Sequence, residues 1–366
     1  MVMTACAACG LIQLREPPPT AAIVPRAPWI NYNEPDAHLD DFVAHLLEDL
    51  LPGPDQSIAL GLGPFEAPLL RRLSARGLVV KSPDLLAADV APNGCFPYLE
   101  TWQARLEPQT LGQLVTKQGR ADIVSCRYLL EHCHDPIGAL RALGQLLRPN
   151  GLLILEIPDS AKFLAARDYS FPWEEHVCYF TEHSFTALAE QAGYETVKLF
   201  RYPGSLEDAL IGVFRRRNAS PGERRQPILA NPDLFSPYRA ALVASRTFVQ
   251  NRLADIISGA REGVALFGAG HQAIMFVNAL HLRDSITMVA DDDPNKRGYF
   301  PPGFATSIVA SSDLLADKGV KLCLLAVSPM SERKVRDKLA PLEQRGVRLC
   351  SIYAGVEGSI FEGRRL

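Results

Sequence analysis

Leu146 to Asp159 reads LLRPNGLLILEIPD. It holds the end of one element, a turn and the whole of a second. The longer stretch DPIGALRALGQLLRPNG has the apolar spacing of an amphipathic helix, opened by Asp135-Pro136 and closed by Asn150-Gly151. The run LLILEIP is apolar at consecutive positions, the composition of a strand buried on both faces. Such a strand belongs in a parallel sheet between two layers of helices.

The flanking sequence agrees. Upstream, ADIVSCRYLLEHC is a strand running into a loop or helix. SIALGLGPFEAPLL, Ser57 to Leu70, is a strand, a turn through Gly61 and Gly63, and the start of a helix. LVV is a short strand, and residues 90–121 read as irregular with a helix around TLGQLVTKQG. Downstream, TEHSFTALAEQAG is a helix with Thr181 as N-cap and Gly193 at its stop. YETVKLFRYP and DALIGVFRRR are two further strands, suited to an antiparallel end of the sheet. Strand and helix alternate from residue 57 to 190, which predicts an α/β doubly wound sheet with helices on both faces.

Residues 1–35 read as irregular, because REPPPT and VPRAPW interrupt helices. EPDAHLDDFVAHLLEDLLPG is helical; His45 and Glu48 lie on it as surface or helix-packing residues. Arg215 to Pro227, RRRNASPGERRQP, is a linker, and a long helix follows it. A second strand-turn-helix begins at GVALFGAGHQAIMFVNAL. SITMVADDDPNKRG, KLCLLAVS and RLCSIYAG add strands, predicting a smaller Rossmann-like α/β domain. The expected organisation is 1–50, 51–217, 218–262 and 263–366: an N-terminal piece, the first sheet, a linker with a bridging helix, and the second sheet.

The chain has 366 residues, 47% hydrophobic and 22% charged, with net charge −3, the balance of a globular protein. No Lys/Arg-rich stripe suggests nucleic acid, no apolar run is long enough to cross a bilayer, and the first ten residues lack signal-peptide character. A cytoplasmic location is expected. Of eight cysteines only Cys6 and Cys9 form a CxxC pair. The rest read as buried thiols.

Four segments, in order, resemble class I S-adenosylmethionine-dependent methyltransferases: SIALGLGPFEAPLL, DIVSCRYLLEHCHDP, LLRPNGLLILEIPD and FTEHSFTALAEQAGYET. With WEEHVCYFT, a leading CxxC-G-L-I-Q and a trailing domain that begins LFGAG, the whole chain is similar to the three-domain sugar C-methyltransferases. That resemblance implies methylation of a carbon beside a ketone, on a nucleotide-linked keto-deoxysugar, with S-adenosylmethionine as cofactor. Such a C–H is acidic enough to remove if the enolate oxygen is stabilised. The resemblance assigns His176 as general base, with Glu175 its pair. His132 bonds the sugar oxygen or enolate, and Tyr32 reaches the site from the N-terminal piece. Gly61, Gly63, the position of Lys81, and Tyr128 fall at the cofactor.

The sequence departs from the family at several points. Phe65 stands at the third glycine, and Ala59 or Leu60 replaces the acidic residue before the first. Lys81 stands where an acid would bind the ribose hydroxyls, and lysine has no acceptor; Asp84 is the nearest substitute. Cys6 and Cys9 are half of a four-cysteine set, and two ligands do not fill a structural zinc site. Gly268-x-Gly270-x-x-Ala273, with Asp291 after the next strand, resembles a dinucleotide fingerprint. The family likeness makes that domain architectural. A non-catalytic methyltransferase-like protein and an NAD(P)-binding module are the competing expectations.

Overall fold

The computed structural model describes the chain except residues 24–33, 52–55, 84, 86–98, 218–232, 258–262 and 365–366. The chain forms two compact units. The first comprises Met1–Val24, Tyr32–Ser160 and Glu174–Pro232; the second comprises Pro25–Asn31, Ala161–Trp173 and Asp233–Leu366.

The first unit begins with β1 (Met3–Ala5) and β2 (Ile12–Leu14), then continues through β3 (Ile58–Gly61), β4 (Val79–Lys81), β5 (Ala121–Arg127), β6 (Leu147–Asp159), β7 (Cys178–Tyr179), β8 (Tyr194–Tyr202) and β9 (Asp208–Arg216). Six of these make one sheet in the order β4-β3-β5-β6-β9-β8. The first three pairings are parallel. β9 inserts antiparallel between β6 and β8, as the two late strands of the sequence suggest.

Alternating residues of the central strands face opposite layers. Leu60, Val124, Leu153 and Leu155 join the helices Pro108–Gln118, Pro136–Leu143 and Glu182–Gln191 through Leu111, Leu140 and Phe185. Ala59, Ile123, Leu152 and Ile154 join Leu39–His45 and Ala67–Ala75 through Phe42, Leu69 and Leu73. The predicted N-caps form, but the helix opened at Pro136 ends at Leu143 and passes through a 3-10 turn, Gly144–Leu146, into β6, so Asn150-Gly151 lie in the strand and not at the helix stop. Asp135 accepts from the Gly138 N–H at 2.9 Å, and Thr181 and Ser184 make a reciprocal capping box.

The order of strands reverses between β3 and β5. In an open α/β sheet that reversal leaves a crevice at the carboxyl ends of the two strands, the usual ligand site.

Residues 1–35 are not wholly irregular. β1 and β2 form a hairpin, with Met3 opposite Leu14, and β2 pairs antiparallel with β7. Strands of three residues carry too little periodicity to be read, and their partner is remote in sequence. The turn is Cys6-Ala7-Ala8-Cys9-Gly10, closed by Cys6 N–H to Leu11 O and Gly10 N–H to Cys6 O, both 2.8 Å.

The second unit is a parallel five-stranded sheet ordered β12 (Ile308–Val309), β11 (Ile286–Ala290), β10 (Val264–Phe267), β13 (Leu322–Leu325) and β14 (Arg348–Ser351). The segment 161–173 is tied into it. Asp168 accepts from the Ala354 N–H at 2.8 Å, and Tyr169 donates to Tyr238 O on the long helix Phe235–Ile257.

Candidate functional site

β3 delivers Gly61, Leu62 and Gly63 to the strand-reversal crevice. Gly61 is required by the chain itself: a Cβ there would lie 2.7 Å from Glu66 Cβ and 2.9 Å from Leu70 Cδ1. Gly63 differs. Its φ of +141° suits glycine, and a Cβ would have 3.7 Å to its nearest neighbour. At Gly63 it is the backbone conformation, and not a close neighbour, that calls for glycine. Phe65, at the third glycine position, packs edge-to-face on Tyr128 with centroids 6.2 Å apart. Tyr128 follows β5 in the left-handed region, φ +49°, an unusual conformation for a bulky residue.

Glu66 follows the loop and is committed to the chain. It is 1% exposed, accepts from Ser125 Oγ, and accepts from the Arg127 N–H at 2.7 Å. Burial pushes its carboxyl up to about 7 against the pull of Ser125 and Arg127. Arg127 extends the network to Phe65 O at 2.5 Å, Pro35 O at 3.1 Å and Glu156 at 2.5 Å. His38 meets Glu156 at 2.8 Å. Burial alone would raise Glu156, but the His38 and Arg127 bonds outweigh it and hold this carboxyl below its ordinary value. Sequence reading missed this network. Its signal was a charged residue inside each of two buried strands, Arg127 in DIVSCR and Glu156 in LLILEIP.

Lys81 is aimed at a helix end. Its Nζ donates to Gln118 O at 2.8 Å, the last residue of Pro108–Gln118, where a cation complements the helix dipole. It supplies no acceptor for a ribose. Asp84, Tyr32 and Cys95 lie outside the described residues.

His132 and His176 come together. Their rings are perpendicular at 4.8 Å, and His176 is 6.2 Å from Tyr179. His132 sits on the 3-10 turn Leu130–His132 just after β5, and His176 on the loop before β7. Glu131 completes the group: its ligand atom and one from each histidine lie within 4.8 Å of one another. Burial drives the Glu131 carboxyl well above the usual range. Glu175 is buried beside the pair in sequence. A basic imidazole next to a hydrogen-bonding imidazole at a ligand crevice can exchange a proton with a bound substrate.

The CxxC turn leads into β2, which pairs with β7, the strand that follows His176. The Cys9 N–H holds the Cys6 thiol below its ordinary value, while burial pushes Cys9 up. Among the described residues no third His, Cys, Asp or Glu joins Cys6 and Cys9 as a ligand group.

In the second unit, Gly268 has φ +98°, and a Cβ would meet Ala326 O at 2.4 Å, so close backbone approach requires it. Asp291 accepts from the Ala269 N–H at 2.7 Å and from Lys296 at 3.2 Å. The carboxylate that a dinucleotide ribose would need is committed to the turn itself.

The sequence matches two family models: "Methyltransferase domain" over residues 36–199 and "C-methyltransferase C-terminal domain" over 222–352. It is similar to the C-methyltransferase NovU of Streptomyces niveus, 26% identical over 130 residues. That match spans 36% of this chain and 30% of the relative, so the chain covers under a third of the relative's length. Among solved structures it is similar to magnesium protoporphyrin IX methyltransferase of Synechocystis with bound SAM, with 17% identity, TM-score 0.33, and coverage of 50% of this chain and 79% of that one. A Burkholderia thailandensis 1,6-didemethyltoxoflavin-N1-methyltransferase gives 16% identity, TM-score 0.29, and coverage of 52% and 94%.

Proposed function

Because the chain belongs to the methyltransferases that join a methyltransferase domain to a C-methyltransferase C-terminal domain, we propose that it methylates a carbon beside a ketone, on a nucleotide-linked keto-deoxysugar. The observation that carries this reading is the His132–His176 pair, with rings 4.8 Å apart at the carboxyl end of β5. S-adenosylmethionine, when bound, supplies the methyl group and leaves as S-adenosylhomocysteine.

The backbone of Gly63 and the ring of Tyr128 would hold that donor against the carboxyl ends of β3 and β5. His176 accepts the proton from the carbon next to the ketone, and the electron pair of that C–H bond becomes the new C–C bond. His132 donates to the ketone oxygen as negative charge gathers on it. Glu175, buried next to His176, keeps the pair's surroundings polar. The cytoplasm is the location this reading implies.

The direct test incubates the protein with methyl-labelled S-adenosylmethionine and a panel of nucleotide-linked keto-sugars. A mass gain of one methyl, lost in His176→Ala, supports the proposal. Calorimetry with S-adenosylhomocysteine that detects no binding sinks it.

A second reading, a non-catalytic methyltransferase-like binding protein, draws on Lys81, whose ammonium faces Gln118 O and offers a ribose no acceptor. It requires that no sugar in the panel gain a methyl.

A further inference from the structure

Glu131 and His132 come from one 3-10 turn, and His176 comes from a separate loop, yet their ligand atoms all lie within 4.8 Å of one another. Glu131 and His132 are each 2% exposed. Glu131 Oε2 is buried and meets no hydrogen-bond donor among the described residues. Taking a carboxylate out of water without donors costs on the order of several kcal/mol, and an adjoining cation offsets that cost. Two imidazoles and one carboxylate suit borderline first-row divalent ions such as zinc and cobalt. Magnesium and calcium favour oxygen alone.

We propose that Glu131, His132 and His176 form a three-ligand site for a zinc-class divalent cation, distinct from the Cys6–Cys9 turn. Three protein ligands leave a coordination position for water or a substrate oxygen. A histidine nitrogen that binds the ion cannot also take a proton. Occupancy therefore withdraws His176 from proton transfer, and the ion acts as an inhibitor of the crevice. Cation binding stands by itself; the inhibitory consequence rests on the methyl-transfer reading above.

The test strips the full-length protein with a chelator and titrates it with cobalt(II), followed by visible absorption and calorimetry. One equivalent is expected to bind, with the d–d bands of a four- or five-coordinate ion and no thiolate charge-transfer band. Loss of even an outer-shell partner costs roughly 10–100-fold in affinity, so His176→Ala and Glu131→Gln are each expected to weaken binding by about 100-fold or more. Cys6→Ser leaves it unchanged. His176 is half-buried on a loop, so His176→Ala reports on the site if Glu131→Gln compromises folding. Three results overturn the proposal: no stoichiometric binding, unchanged affinity in His176→Ala, or a thiolate band that disappears in Cys6→Ser. The titration uses neither methyl donor nor sugar, so its failure leaves the methyl-transfer reading standing. A failed methylation assay equally leaves the cobalt result intact.

Discussion

Arg127 Nε donates to Glu156 Oε2 at 2.5 Å, and neither side chain is more than 1% exposed. Removing one member of a buried pair strands the other, at about 3–5 kcal/mol, whereas an apolar replacement of both is often close to neutral. Arg127→Met and Glu156→Leu should each lower unfolding stability by about that much. The double variant should lose at least about 2 kcal/mol less than the sum of the singles. Urea unfolding of the four proteins measures this. Simple additivity would mean that the two residues are not an energetic unit.

The sheet was legible because its signals are local. LLILEIP is a doubly buried strand, and Asp135 and Thr181 cap their helices as their positions suggest, although the strand already begins at Leu147, among the residues read as a helix end and turn. The hairpin β1–β2 was not legible, since it is stabilised by β7, which arrives much later in the chain. His132 and His176 could be named singly, but no sequence spacing says that they meet at 4.8 Å. Glu131 went unnoticed because an acid beside a histidine on a helical pattern reads as solvent-facing. The 3-10 turn buries it instead. Gly61 looked like a cofactor glycine, although its missing Cβ makes room for Glu66.

That contrast between the two loop glycines is measurable. Gly61→Ala forces a Cβ to 2.7 Å from Glu66, and overpacking of this kind costs about 1–3 kcal/mol. Gly63→Ala has space but an unfavourable φ, and it intrudes where the donor would approach. Thermal denaturation should show the larger stability loss in Gly61→Ala. Calorimetry with S-adenosylhomocysteine should show the larger fold-loss of affinity in Gly63→Ala. The reverse pattern would move the donor away from Gly63.

Glu66 makes the first unit less stable as pH rises toward neutrality. Burial, opposed by Ser125 and Arg127, places its folded carboxyl at about 7, against 4.5 for the ordinary group. Below 4.5 both folded and unfolded forms hold the proton and the contribution is complete. As pH rises to about 7 the unfolded chain releases its proton first, so stability falls, at up to about 1.4 kcal/mol per pH unit. Glu34, raised by burial and Glu156 to about 7, adds a slope of the same sign. Glu66→Gln should flatten part of the decline between pH 4.5 and 7 in urea midpoints. An unaltered slope would assign the whole effect to other carboxyls.

His271 makes the second unit sensitive to acid. Its ring stacks on Trp173 at 4.4 Å, and burial, with a smaller push from Lys296, lowers its value from 6.5 to about 4. The folded imidazole is neutral while the unfolded one gains a proton below 6.5. Stability therefore falls as pH drops from 6.5 to about 4, by up to roughly 3 kcal/mol at about 1.4 kcal/mol per pH unit. His271→Phe retains a ring against Trp173 and carries no titrating group. Relative to the parent, its unfolding midpoint should rise as pH falls through this window, because the His271 part of the slope is removed while that of the raised carboxyls stays. Parallel curves would clear His271 of the effect.

Lys81→Glu separates the two readings of the donor site. Lys81 bonds Gln118 O at 2.8 Å at a helix C-terminus, and an anion there loses that bond and opposes the helix dipole, at about 0.5–1 kcal/mol. If the ribose lies at the end of β4, the new carboxylate accepts from its hydroxyls. Hydrogen bonds to a charged group are worth about 1.5–3 kcal/mol. S-adenosylhomocysteine should then bind at least about tenfold more tightly to a slightly less stable protein. Such a gain would identify Lys81 as the residue that weakens an otherwise competent site. Unchanged or weaker binding would place the ribose away from β4, and Lys81 would no longer argue against a competent donor site.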